Sequence, residues 1–338
     1  MKAVYYDEPR RWRLAELPDP EPGPHDVRLR VRAAGMCGTD VHLHEGEFGH
    51  VYPLVPGHEI VGEIDKVGDE VTDRQPGQLI ALDNMIACGL CDMCRRARPA
   101  HCRSLRAMGV FEAGGFAEYL IAPAGKCHPV DDLGADVAVL TEPTACAMHG
   151  LDILDPTPGS DVLIMGAGPT GLLLTQLLLH TGAARVTVAA PTPFKLALAA
   201  GYGAQPVPIE RGATVETLAT LHQIAPDGFD VVVDATGSTD ILALCPPLTA
   251  VGGTVLVYGV TAEDAKWPIS PYDVFRREIT IKGSFSQAYS FDRALRVLRS
   301  GRLDTAGIVT HHFGLNEYEA ALDAVRNDPS CLKAVLRP

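Results

Sequence analysis

A GxGxxG run between an apolar strand and a helix leaves a chain few ways to fold, because the three glycines belong where a parallel strand turns sharply into a helix. Gly166, Gly168 and Gly171 stand in that position, directly after DVLIM and directly before LLLTQLLLHTG. The first glycine permits the tight turn and the second lets backbone approach a pyrophosphate. The third lets the helix pack closely while its N-terminal amides face the anion. A turn that served packing alone would not need all three, so the motif implies a dinucleotide ligand. Residues 162–184 hold no Asp, Glu, Lys or Arg and are long enough to suggest a membrane span. The glycine run breaks that stretch, and Gln176 and His180 interrupt its helical half, so strand, turn and helix is the better reading.

The rest of the chain divides about this motif. Residues 1 to about 150 alternate short β-branched runs (VRLRVRAAG, EIVGEIDKVG, QLIALD, FAEYLIA) with Gly and Pro punctuation, the pattern of an all-β barrel. Beyond residue 160, apolar runs at 162–165, 185–189, 230–234, 254–258 and 279–282 alternate with helical stretches at 194–200 and 240–249. That alternation predicts a doubly wound parallel sheet. The tail from Phe291 holds two helical segments, FDRALRVLRSG and NEYEAALDAVRND, separated by the strand GIVTHHF. A length of 338 residues suits about two domains, each able to bury a core without disulfides.

Lysine and arginine total 29 against 42 acidic residues, a net charge of −13 that makes nucleic acid and anionic membrane poor partners. The N-terminus MKAVYYDEPRRWR carries charge from its second residue and no apolar core, so neither a signal nor a transit peptide is expected and the cytoplasm is the default. In that compartment clustered cysteines mean metal. Four of the nine cysteines, Cys88, Cys91, Cys94 and Cys102, fall in the pattern CxxCxxCx7C, short enough for one loop to supply a tetrahedral structural zinc site. Arg95, Arg96, Arg98, Arg103 and Arg106 surround it and read as a solvated lobe that offsets thiolate charge. Most of the remaining cysteines read as small core residues.

A dinucleotide site selective for NAD places Asp or Glu at the end of its second strand, where the carboxylate accepts from the ribose 2′-hydroxyl. That strand here reads RVTVAAPTPFK, and the acidic position is Ala190. No carboxylate repels a 2′-phosphate, while Thr192 could bond it and Lys195 neutralise it, which favours NADP over NAD. Pro169 within the loop and Thr236 beyond the 230–234 strand complete the residues read as cofactor-binding.

GMCGTDVH at 35–42, PGHEIVG at 56–62 and LTEPTAC at 140–146 occur in order with the cysteine lobe and the glycine loop. Together they resemble the zinc-dependent medium-chain dehydrogenases over essentially the whole chain. The glutamate after the histidine and the one in the EP motif are closer to sorbitol, xylitol and related polyol dehydrogenases than to liver-type alcohol dehydrogenase. The resemblance implies an α/β protein. It has a GroES-like β-barrel catalytic domain (1–150 and 285–338, with the zinc lobe at 88–102), a Rossmann coenzyme domain (151–284), and an active site in the cleft between them. Cys37, His58 and a carboxylate suit a catalytic zinc with one open position. Similarity to sorbitol dehydrogenases favours Glu59 as the third ligand with Glu142 holding the water on the metal, but related enzymes exchange these roles and both stay open. Asp40 resembles the carboxylate that orients the histidine ligand. Thr39 and His42 match the family's proton path from substrate to solvent. His44, His50, Phe48 and Phe111 are further candidates for the pocket wall.

The expected activity is hydride transfer between a secondary alcohol of a polyol, sugar or cyclitol and NAD(P), giving a ketone, with two zinc ions per chain and a homodimer or homotetramer as the assembly. A dehydrogenase of simple secondary alcohols or aldehydes is the nearest alternative. A non-catalytic cofactor-binding scaffold is the alternative of another class.

Overall fold

The computed structural model describes residues 1–47 and 52–338, so Phe48 and His50 lie outside the described residues. The chain divides into two compact units, Met1–Ala145 with Gln287–Pro338, and Cys146–Ser286. The first boundary falls within the helix Thr141–Leu154. No helix among the described residues is long and apolar enough to cross a membrane.

In the unit Cys146–Ser286, six parallel strands stand in the order 3-2-1-4-5-6: Gln205–Pro208, Arg185–Ala190, Asp161–Met165, Phe229–Asp234, Thr249–Val257 and Thr280–Gly283. The central strand DVLIM has a parallel neighbour on each side and four fully buried apolar residues, as a strand covered on both faces requires. Its last residue, Met165, stands opposite Ala189 on one side and Asp234 on the other. Gly166 therefore emerges at the point where strand order reverses, the usual ligand position in open α/β sheets. The strand Gln205–Pro208 carries two prolines, which its place at the sheet edge tolerates. Those prolines also hide it from strand patterning. The strand Thr249–Val257 begins five residues earlier than its β-branched run, because Gly252 and Gly253 interrupt the apolar pattern at a register shift against Phe229–Asp234.

The other unit is built on a seven-stranded sheet around the long strand Asp26–Met36, which pairs with Lys333–Leu336, Glu59–Val67 and Tyr119–Pro123. Val27, Leu29, Ile60, Ile64, Phe116 and Tyr318 are central to its core. Register does the positioning. Gly35 lies opposite Glu59, and Met36 opposite Ala334, so the end of one strand and the starts of two others meet at one place.

Candidate active site and metal centres

The strand Asp26–Met36 hands over to the helix Gly38–Glu45 at Cys37, which caps that helix from an extended backbone. Its Sγ accepts the Thr39 N–H at 3.3 Å, and the Asp40 carboxylate accepts the Cys37 N–H at 2.9 Å. The thiol is thus held by a reciprocal cap at the strand's end. His58 Nε2 lies 3.1 Å from Cys37 Sγ, and His58 Nδ1 lies 3.6 Å from the buried Asp40 Oδ1. Neither Nδ1 nor Oδ1 has another hydrogen-bond partner among the described residues. Cys37, His58 and Glu59 each present one ligand atom, all within 4.8 Å of one another.

This donor set fits zinc. It offers a sulfur, an imidazole nitrogen whose other nitrogen faces a carboxylate, and a carboxylate oxygen, which is three protein ligands with a fourth position left to substrate. The electrostatics agree. Burial pulls the His58 pKa down, but the Cys37 thiolate and the Asp40 carboxylate outweigh it and hold that pKa well above the ordinary value. The site favours positive charge at its centre.

Glu59 has a second partner that sequence reasoning missed. Lys333, as buried as Glu59 itself, places Nζ 2.6 and 2.8 Å from the two Glu59 oxygens and 3.2 Å from the Met36 carbonyl. A Cβ on Gly35 would stand 1.9 Å from Glu59 Oε2, so the carboxylate lies where only glycine leaves room. Glu142 sits in the first turn of Thr141–Leu154, buried but outside the set of three. Thr39 is half-buried on the helix Gly38–Glu45. One turn on, His42 Nδ1 meets Glu47 Oε2 at 2.5 Å.

The four lobe cysteines converge as well. Sulfur separations are 4.0 Å for Cys88 and Cys94, 3.6 Å for Cys91 and Cys94, and 4.0 Å for Cys91 and Cys102. Four thiolates at 2.3 Å from one zinc stand about 3.8 Å apart, whereas a disulfide needs about 2.05 Å. Backbone amides of Leu90 and Cys91 donate to Cys88 Sγ, and that of Cys88 to Cys102 Sγ, the support a thiolate needs. Amides of Arg103 and Cys94 lower the Cys91 pKa to about 6. Arg103 is paired with Asp92 and Arg106 with Glu112, as a solvated lobe would have them.

At the glycine loop, Gly166 has a φ of +112°, and a Cβ there would come within 2.8 Å of Thr236 Cγ2. A Cβ on Gly168 would meet nothing within 4 Å, so that position opens onto free space in front of the helix Pro169–Leu179. A cavity of about 400 Å³ begins at Gly166 and is bounded by Pro191, Glu210, Arg211, Thr236 and Asp240. Asp234 fixes Thr236, accepting from its N–H at 2.9 Å and from its hydroxyl at 2.6 Å. Ala190, Thr192 and Lys195 are not in this wall. Ala190 is buried, and the Lys195 ammonium sits 5.7 Å from the Phe194 ring centre. Glu210 and Arg211 follow the edge strand Gln205–Pro208, whose prolines mask its strand pattern and so hide these two residues from a reading of the sequence.

The model of the alcohol dehydrogenase GroES-like domain matches residues 23–132, and that of the zinc-binding dehydrogenases matches residues 169–300. The chain is 42% identical to D-arabinitol dehydrogenase 1 of Uromyces fabae, over all of this chain and 97% of that one. It is 34% identical to D-altritol 5-dehydrogenase of Agrobacterium fabrum, over 98% of each. Among solved structures, a zinc-binding dehydrogenase of Sinorhizobium meliloti 1021 bound to NADP superposes with a TM-score of 0.92 at 34% identity, covering 100% of this chain and 99% of that one.

Proposed function

The chain belongs to the zinc-binding alcohol dehydrogenases with a GroES-like domain, and from that premise we propose that it oxidises a secondary hydroxyl of a polyol, sugar or cyclitol to a ketone, reversibly, with NADP as the preferred hydride acceptor. The observation that carries the reading is the convergence of Cys37, His58 and Glu59 with Asp40 behind the histidine. Cys37 and His58, with Glu59 or Glu142, would hold one zinc, and the four lobe cysteines a second. Bound zinc supplies Lewis acidity at the substrate hydroxyl.

The remaining work falls to the chain itself. Asp40 sets the orientation of the His58 ring. Thr39 offers the hydroxyl next to Cys37 at the start of the proton path and His42, one helical turn on, the imidazole at its solvent end, with the cofactor ribose as the link that would join them. The Glu47 carboxylate against His42 Nδ1 fixes the orientation of the ring. The assembly is a homodimer or homotetramer in the cytoplasm, acting on a small molecule. The D-arabinitol and D-altritol dehydrogenases support the polyol class. The alanine at position 190 and the NADP-bound relative support the cofactor preference.

The test is reduced-nicotinamide formation over polyols, cyclitols and simple secondary alcohols, each with NAD and NADP. Polyol turnover with NADP is expected. Turnover confined to simple alcohols would overturn the substrate class, and turnover confined to NAD the cofactor preference. Ala190→Asp should lower kcat/KM for NADP relative to NAD by about tenfold or more, since a carboxylate at this strand end repels the 2′-phosphate and accepts from the 2′-hydroxyl. An unchanged ratio would move cofactor selection to the Arg211 side of the cavity.

A further inference from the structure

A second cavity, of about 460 Å³, lies in the unit Met1–Ala145 with Gln287–Pro338, bordered by Cys94 of the cysteine lobe and by the start of the helix Phe291–Arg299. Its volume is within the range of about 300–1,000 Å³ that holds small molecules. Asp83, Lys126, His128, Gln287, Ser290 and Asp292 are among the polar side chains that reach it.

Their hydrogen bonds leave a definite remainder. Lys126 donates to Asp83 Oδ2 at 2.6 Å, and Gln287 Nε2 donates to Asp83 Oδ1 and Asn84 Oδ1, both at 3.2 Å. The Gln287 carbonyl oxygen is left to accept. His128 Nδ1 lies 3.1 Å from Asp292 Oδ1, which turns Nε2 to other work. Burial lowers the His128 pKa against the opposing pull of Asp292 and Asp83, so the ring is neutral at neutral pH and can donate or accept. Ser290 is the most telling member. It is 1% exposed, and its hydroxyl has no partner among the described residues. A serine preceding a helix normally caps it through that oxygen, but Ser290 has helical backbone angles and makes no cap bond. A buried hydroxyl without a partner is costly unless something fills the need.

We propose that this cavity is a second binding site, separate from the Cys37–His58–Glu59 centre, for a neutral polyhydroxylated small molecule. The lining selects that class. The charge of Lys126 is matched by Asp83, and among the described residues Asp292 is paired with a neutral imidazole, so an anion would meet an excess of carboxylate. Neighbouring hydroxyls offer donors to Asp292 and Gln287 and an acceptor to Ser290. The exposed Tyr289 ring, and Phe291 packed 4.8 Å from the His128 ring, add apolar faces for the C–H side of such a ligand. None of this depends on the reaction proposed above.

The holoenzyme would be titrated calorimetrically with D-arabinitol in the absence of dinucleotide, and its crystals soaked in the same polyol. A second class of sites, one per chain, is expected, with ligand density against Gln287 and Ser290. Gln287→Leu and Asp292→Asn should each weaken that class about five- to tenfold, the loss of one or two hydrogen bonds, while leaving turnover unchanged. Ser290→Ala, which removes no cap, should weaken it likewise in a fully folded protein. The lack of any class of sites that Gln287→Leu weakens, density without a matching heat in solution, a cavity holding water alone, or tighter binding of ribose 5-phosphate than of D-arabinitol would each overturn the assignment. Binding here without turnover of any polyol would sink the dehydrogenase reading and leave this site standing.

Discussion

Replacing Cys37 should lower kcat/KM about a thousandfold or more and remove one of the two zinc ions proposed per chain. A metal acting as Lewis acid contributes several kcal/mol to transition-state stabilisation, and each 1.36 kcal/mol is about tenfold in rate. Cys37 contributes the sulfur of the three ligand atoms that converge, and its loss leaves an imidazole and a carboxylate that is already bound to Lys333. The same side chain also caps the helix Gly38–Glu45, so the choice of replacement separates its two roles. Cys37→Ser keeps an acceptor for the Thr39 N–H and should be about as stable as the parent stripped of this zinc. Cys37→Ala should lose about 1 kcal/mol more, the usual cost of a missing cap. Both should be equally depleted of zinc and activity. Metal analysis, denaturant unfolding and steady-state rates check the three parts together. A serine variant that keeps its second zinc and turns over within tenfold of the parent would remove Cys37 from the metal site.

What could be read from the chain before its structure depended on how local each signal is. Gly166, Gly168 and Gly171 lie within six residues, and the four lobe cysteines within fifteen, so spacing alone carries their chemistry. Cys37 and His58 are 21 residues apart, and a sheet register, Gly35 against Glu59, brings them together. No spacing rule encodes that register, and the motifs were legible through their resemblance to a family. The strand Gln205–Pro208 was hidden by its prolines, and with it the cavity wall at Glu210 and Arg211. Lys333 is the plainest case of a non-local signal. A lysine within CLKAVL reads as one charged residue in a short apolar run, and its partner stands 274 residues earlier. The buried apolar residues on either side were the available hint, since a strand covered on both faces has no solvent into which a lysine can turn.

That lysine gives the second large effect. Lys333→Met should destabilise the protein by about 3–5 kcal/mol, because removing one partner of a buried ion pair leaves the other charge in a dry interior. Lys333 and Glu59 are each 1% exposed, and the ammonium touches both carboxylate oxygens. Burial alone would lower the Lys333 pKa, yet Glu59 first and Cys37 next hold it above the ordinary value, so the lysine is charged where it sits. Without it, the Glu59 carboxylate remains buried near the Cys37 thiol and loses the ammonium that meets both its oxygens. The apparent melting temperature should fall on the order of 10 °C. Replacing both partners by apolar groups, as in the Lys333→Met, Glu59→Leu double variant, removes the stranded charge and should recover most of the loss even though the metal site is spoiled. Zinc adds a further sign. A divalent cation beside Glu59 neutralises the carboxylate that the methionine abandons, so the deficit of Lys333→Met should be smaller in zinc-loaded protein than after chelation. Urea unfolding of the parent, Lys333→Met, Glu59→Leu and the double variant, with and without chelator, reads all of this. Single-variant costs that simply add, or a deficit indifferent to zinc, would mean that Lys333 supports the sheet and not the charge of the site.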